Sequence, residues 1–274
     1  MSNMTVGQPL NSTAAIEVPK RPFPDTARRW LFWLILVALL IWSWNPTEMY
    51  LIENIFTDWR NMAEFGEAFL SPSSLNWEAY VEEMLVTLQI AIWGTALAVV
   101  VGIPLAILSA SNVAPVWVVQ PIRRLMDSFR AINELVFAMV FIVAVGLGPF
   151  AGVMALFVHN TGVVAKLFSE AVEAIDPRPV EGIRATGSSR LNEVIFGIVP
   201  QVIPLWISYT LYRFETNVRS ATVLGLVGAG GIGFSLNETM RGFEYAETAT
   251  IIIIIIISVS LIDVLSAQLR KMII

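Results

Sequence analysis

The chain has 274 residues, of which 56% are hydrophobic and only 14% charged, with a net charge of −5 and a mean hydropathy of +0.69. An average soluble domain is closer to a quarter charged, so these proportions point to a membrane protein. Cysteine is absent and His159 is the only histidine, which excludes disulfides, zinc–thiolate and iron–sulfur centres, and a multi-histidine metal site within one chain.

Residues 1–28 are polar, with Pro19, Pro22 and Pro24, and read as a disordered cytoplasmic tail. The first apolar run, 29–46, carries Trp30, Trp33, Trp42 and Trp44 near its ends, side chains suited to membrane interfaces. No small-residue cleavage site follows, so an uncleaved anchor is expected. Residues 47–83 are acidic (Glu48, Glu53, Asp58, Glu64, Glu67, Glu78) with Trp59, Phe65 and Trp77 interleaved. They form either a short helix lying on the outer surface or an ordinary connector. A core of spans over 84–270 follows. Glu83 and Arg123 bracket a span at about 84–109, and Glu193 and Arg213 bracket nineteen uncharged residues, 194–212. The last span, about 248–267, includes seven consecutive isoleucines, 251–257. Isoleucine favours strands in water, but a lone strand in lipid would leave its backbone unpaired, so a helix is expected.

Residues 135–165 are 31 positions without a formal charge, either one kinked helix or two spans meeting at Gly146-Leu147-Gly148-Pro149. Charge decides. Two spans put Arg123, Arg124 and Arg130 on the same side as Lys166, Arg178, Arg184 and Arg190. With Lys20, Arg21, Arg28, Arg29, Arg270 and Lys271, that places 13 of the 17 basic residues inside, as the positive-inside rule expects. The expected fold is therefore all-α, a polytopic membrane protein with about six transmembrane helices and both termini cytoplasmic.

The loop 176–193 is organised. Asp176-Pro177 suits a helix start, and Gly187 suits the left-handed turn past a helix end. Ser188 or Ser189 can cap a following helix that runs through Pro200 into the membrane. Such a helix–turn–helix can pass a push from a soluble motor to the spans. Glu181, Ala185, Gly187 and Pro200 resemble the coupling motif of ABC importer permeases, with glutamate, glycine six later and proline thirteen after that. Gly182 and Ile183 stand where the motif usually has alanines, and Gly197 stands at its apolar position before the proline. Three longer stretches, 130–156, 159–176 and 212–233, resemble the phosphonate ABC transporter permease family, a similarity covering about residue 80 to the end. The family commonly has proline where Asn133 stands. The methionine permease is a more distant relative, so a type I importer fold with a methionine-permease-like core is implied.

Gly228-Ala229-Gly230-Gly231-Ile232-Gly233 spells G-x-G-x-x-G, but a dinucleotide site needs a preceding strand and an acidic residue ~20 positions on, where Ile253 stands. Residues 221–233 are too short to cross a bilayer and are expected to dip in and out, as pore lining or outer gate, or as a small-residue packing patch. Arg213, Glu215, Asn217 and Arg219 complete the candidate gate with Gly228, Gly230, Gly231 and Gly233. Arginines offer forked donors to a phosphonate or phosphate, and Arg219 is the favoured one. Snorkelling to the outer interface is the plainer reading. His159 and Asn160 face a cavity or another helix, and Asp263 is expected to pair locally at the inner end of the last span.

The resemblance implies a bacterial inner-membrane permease for phosphonate, phosphate or phosphite. It would act as a homodimer in membrane lipid, with two cytoplasmic ATPase subunits and an extracytoplasmic phosphonate- or phosphate-binding protein. ATP and Mg would sit on the ATPase; this chain has no G-x-x-x-x-G-K-[ST], no catalytic constellation, no metal site and no cofactor of its own, and nucleic acid is not a partner. Alternatives are an ABC permease for another small solute such as an amino acid, an ion-driven secondary transporter, or a scaffold without a path. The secondary transporter would need an inverted repeat and several acids at mid-membrane; apart from Asp263 the spans read as nearly acid-free.

Overall fold

The computed structural model describes residues 23–273, and among these there are helices but no strands. Of the tail expected at residues 1–28, residues 1–22 lie outside the described residues. The chain divides between Ala63 and Glu64 into two compact units.

In the first unit, α1 runs Phe23–Trp44. It begins earlier than the anchor expected at 29. Its apolar side chains are exposed along its length, as a helix surrounded by lipid requires. A short helix, α2 (Ile52–Thr57), follows. Next comes α3 (Trp59–Leu70), which crosses the division between the units. The segment 47–83 is thus partly helical rather than a plain connector.

The second unit is a helical bundle. Its helices are α4 (Trp77–Ser109), α5 (Val116–Ala131), α6 (Glu134–Val145) and α7 (Pro149–Glu173). After α7 come α8 (Pro177–Ala185), α9 (Arg190–Asn192), a π-helical turn (Glu193–Ile198), α10 (Val199–Gly225), α11 (Ile232–Arg241) and α12 (Tyr245–Ile273). Among the described residues, five helices are long and apolar enough to cross a membrane, and the bent pair α5–α6 makes up to six.

Small residues set the core. A Cβ on Gly94 would meet Leu156 at 2.7 Å, and one on Gly102 would meet Val164 at 3.0 Å. α4 and α7 therefore touch almost backbone to backbone, the device by which helices pack in lipid without a hydrophobic drive. Phe168 on α7 stacks on Trp206 of α10 with ring centroids 4.8 Å apart, and the Trp206 indole donates to the Phe168 carbonyl at 3.3 Å.

The break expected at 146–149 is present: Gly146 and Gly148 have φ of 93° and 139°, and Pro149 opens α7. The basic segment before it is corrected. Arg123, Arg124 and Arg130 lie on an amphipathic helix, α5, rather than in a loop. α5 packs on α7 at Gly162 and then bends by 87° into α6. α6 has 12 residues, ~18 Å of helix, and cannot cross a ~30 Å core alone.

The other spans are longer than their charge brackets. α4 starts seven residues early, since Glu78, Glu82 and Glu83 sit in its first turns, where acids suit the helix dipole. α10 runs on through Arg213, Glu215 and Arg219 because those charges are partnered by neighbouring helices, so they do not end the span.

Candidate functional site

Two regions gather the candidate residues: a braced loop at one end of the bundle, and a set of polar contacts along α10.

The loop is built as its caps demand. The Asp176 carboxylate accepts the Arg178 backbone N–H at 3.0 Å and opens α8. Gly187 follows the helix with φ 75°, a conformation that costs other residues strain. Ser189 stands at the cap position of α9 but gives no side-chain bond. The π turn before Pro200 has a local cause. Proline supplies no N–H and its ring crowds the carbonyl four residues back, and a wider turn relieves that crowding.

Three contacts tie α8 to the base of α10. The Gln201 amide spans the loop: its oxygen accepts the Asp176 N–H at 3.2 Å, and its Nε2 donates to the Asp176 and Gly197 carbonyls at 3.2 and 2.6 Å. Arg184 forms a two-pronged pair with Glu193 at 3.0 and 2.8 Å. Gly197 lets Val180 approach so closely that a Cβ would lie 3.2 Å from its Cα. The glycine that departs from the coupling motif is thus the point where α8 crosses α10's base. The Glu193 carboxylate holds the Arg184 guanidinium above its ordinary pKa. The Arg178 side chain, then its backbone N–H, hold the Asp176 carboxyl below the usual range. Glu181, Ala185, Gly187 and Pro200 are all exposed, and a cleft of about 300 Å³ beside α8 is lined by Asn112, Glu173, Pro177, Glu181, Arg184 and Ile198. The ends of α4 and α7 meet here as well. Arg123 pairs with Glu173, and Glu173 accepts the Ser111 N–H at 2.7 Å.

On α10, spacing sorts the polar residues into two faces. Arg213, Asn217 and Ser220 (i, i+4, i+7) share one face. Arg213 Nε and Nη2 donate to the Asn160 side-chain oxygen on α7. Asn217 donates to Thr95 Oγ1 on α4 at 2.7 Å, and Ser220 donates to Glu134 on α6 at 2.8 Å. His159 Nδ1 lies 2.9 Å from the Ile132 carbonyl and must donate to it, since a carbonyl only accepts. Nε2 then faces the Glu134 carboxylate at 3.5 Å.

Glu215 and Arg219 share another face. Arg219 pairs with Glu215 at 3.0 Å and with Asp263 of α12 at 3.1 Å, while Glu215 also takes Arg270 at 3.3 Å. Asp263 therefore pairs across helices, not locally. Arg219 is thus bound to the C-terminal half of α12. The spans are also less acid-free than the sequence suggested: Glu134 and Glu215 both sit in the bundle, each paired.

The glycine-rich segment is shifted from its expected bounds. Residues 221–225 are the last turn of α10, and the turn proper ends where α11 begins at Ile232. Gly228, Gly230 and Gly231 have φ of 95°, 78° and 79°. Gly233 packs on Thr222 and Gly225 with no room for a Cβ. The Gly228 carbonyl accepts the Gly148 N–H at 3.1 Å, and the Ile232 N–H donates to Thr87 Oγ1 at 2.9 Å. The turn therefore locks α10, α7 and α4 together. Arg213, His159, Asn160 and Asn217 cluster; Arg219 and Glu215 form a separate network, and the glycines lie beyond both. Gln201, Glu134, Ser220 and Thr95 join these sites without a sequence signal, because their partners are distant in the chain.

Residues 102–273 match the family described as binding-protein-dependent transport system inner membrane component. The phosphite transport system permease of Stutzerimonas stutzeri is 40% identical over 207 residues, 75% of each chain. A relative from Escherichia coli (strain K12), named for a cryptic phosphonate transport system, is 63% identical over 118 residues, 43% of this chain and 97% of its own. A phosphate-import permease of Mycolicibacterium smegmatis is 40% identical over 68% of this chain and 35% of its own. In fold the chain is similar to an inward-facing form of the MetNI methionine ABC transporter, at TM-score 0.66 and 20% identity over 74% of this chain and 99% of that one.

Proposed function

Because the chain belongs to the family of binding-protein-dependent transport system inner membrane components, we propose that it is the permease subunit of an ATP-driven importer for phosphonate or a related oxyanion. The observation that carries this reading is the braced loop. α8 is tied to α10 by Gln201, by Arg184–Glu193 and by the Gly197 contact, while Glu181 and Ala185 stay exposed for a partner. A lever that must transmit force is stiff at its joint and bare at its contact face.

In this reading two copies form the path, and an ATPase subunit carrying ATP and Mg grips each α8. A binding protein delivers the anion to the outer face. Closure of the ATPases pushes α8, and α10 carries the push into the bundle. The basic residues around α8 support a cytoplasmic position for that end of the bundle in a bacterial cell, and both termini are read as lying on the same side. The names of the relatives support phosphonate, phosphite and phosphate as the substrate class.

The test is uptake and ATP hydrolysis in vesicles holding the chain with its ATPase and binding protein. Gly187→Pro cannot adopt the left-handed turn, and Glu181→Lys reverses charge on the contact face. Both are expected to abolish ATP-coupled uptake while the bundle still folds. Uptake that survives both substitutions would show that α8 is not the coupling element.

A further inference from the structure

We propose that the permease carries its own oxyanion site in the middle of the bundle, at Arg213 and Asn160. This rests on reading the chain as an oxyanion permease, and it moves the substrate-contacting role from Arg219 to Arg213.

The two arginines are six residues apart on α10 and differ in what they meet. The Arg219 guanidinium is engaged by two carboxylates, Glu215 and Asp263, and has no charge left to offer. Arg213 is partly buried, and its direct partner is a neutral amide. Among the described residues no carboxylate lies within ion-pair distance of it. A guanidinium has five N–H donors and no acceptor. Asn160 Oδ1 takes one from Nε and one from Nη2, so Nη1 and the rest of Nη2 remain for an anion.

Asn160 strengthens the argument. The residue is fully buried, and its Nδ2 has no acceptor among the described residues. Its orientation is fixed, since only the amide oxygen can accept from an arginine. Burying a polar group without a partner is costly, so an unmatched buried donor beside an arginine points to a ligand that accepts. At Arg213 and Asn160 the groups without partners are donors, which suits the oxygens of a phosphonate, phosphite or phosphate. The one unmatched acceptor of the cluster, Asn217 Oδ1, lies a turn further along α10 and matches a hydroxyl of the same anion.

Glu134 is the acid of the cluster, and it is turned towards Ser220 and His159 rather than towards the guanidinium. An anion approaches through the accessible edge of Arg213, and a small outward shift of α10 from α7 brings Asn160 Nδ2 within reach.

Two measurements test the site. In the first, the full chain in lipid nanodiscs is titrated with inorganic phosphate, and binding is read from phosphorus NMR line broadening. In the second, uptake of phosphate, methylphosphonate and phosphite is measured at saturating anion in vesicles of the assembled transporter. Loss of a charge-assisted hydrogen bond is expected to lower binding and maximal uptake ~10–100-fold in Arg213→Gln. Arg213→Lys recovers part of the binding, with a changed order of preference among the anions, because an ammonium lacks the fork. Asn160→Ser, a smaller change that spares the bundle, is expected to weaken phosphate binding while the chain still co-purifies with the ATPase. If Arg213→Gln and Asn160→Ser fold, bind phosphate and transport as the unaltered chain does, the site is wrong and the permease reading stands. If the unaltered chain takes up none of the three anions, the oxyanion reading fails, and this site with it.

Discussion

Gln201→Leu is the sharpest test of how α8 is held. The substitution keeps nearly the same volume and removes one amide that makes three hydrogen bonds, at 3.2, 3.2 and 2.6 Å. A neutral bond contributes about 1 kcal/mol net, and the released backbone groups at Asp176 and Gly197 reach water only in part. Two of the three bonds reach the cap of α8 at Asp176, so the loss in the preference for the tied position of α8 is ~1–3 kcal/mol. Two ties would remain, Arg184–Glu193 and the Gly197 contact, so α8 is loosened rather than unfolded. If the ATPase grips only the tied form, a preference reduced this far lowers the force passed per ATP. The assay is the ratio of anion taken up to ATP hydrolysed in the same vesicles, with the melting temperature followed alongside. A ratio lowered several-fold at an almost unchanged melting temperature is expected. Combining Gln201→Leu with Glu193→Gln should cost more than the two singles summed, because they hold the same helix. An unchanged ratio in the double variant would refute the idea that these ties transmit force.

Gly162→Ala tests the seating of α5 on α7. The added Cβ would stand 2.6 Å from the Met126 carbonyl oxygen and 2.9 Å from the Arg130 nitrogen. Backbone cannot swing aside as a side chain can, so a loss of ~3 kcal/mol or more is expected as overpacking, read as a lowered melting temperature and poor recovery in detergent. Asp176 gives a pH prediction. Its carboxyl is held below the usual range in the folded chain by Arg178, so its contribution is present above the ordinary carboxylate pKa and fades as pH falls through the lowered folded value. Uptake per ATP should then be flat from neutrality down through mildly acidic pH. In Asp176→Asn, which can still cap the helix, the acid-side loss should shrink.

Much of the fold was written locally. Asp176-Pro177, Gly187 and the glycine–proline turn at 146–149 each state a backbone geometry in a few adjacent residues, and each stands where its chemistry required. Span ends were read less well, since charge was used as a boundary. Arg213 and Glu215 do not end α10, because a charge in a bundle is tolerated when a neighbouring helix supplies its partner. That information lies in pairs such as Arg213–Asn160, 53 positions apart, and Arg219–Asp263, 44 apart. The same distance hid the difference between the two arginines. In sequence both are cations on one helix, and only their partners show which one is already neutralised.

α10 connects these regions, and its geometry constrains any coupling between them. Gln201 at its base and Arg213 in its middle are twelve residues apart, ~18 Å along a helix. Between them lies Pro204, inside the helix, and below them the π turn that ends at Ile198. A proline and a π turn are where helices bend, so the lower part of α10 can change its angle without unwinding the part that bears Arg213. Above Arg213 the helix is fixed. Gly225 packs against Gly233, and the turn beyond it is tied to α7 at Gly148 and to α4 at Thr87. A push on α8 thus meets a helix free to bend at its base and held at its top. The motion must be absorbed between, where the polar partners of Arg213 and Arg219 lie. The Arg219–Asp263 pair joins two charges and resists separation, whereas the Arg213–Asn160 contact joins a charge to a neutral amide and is the cheaper to part. The helix will therefore open first on the Arg213 face, the face where the unmatched donors wait for an anion.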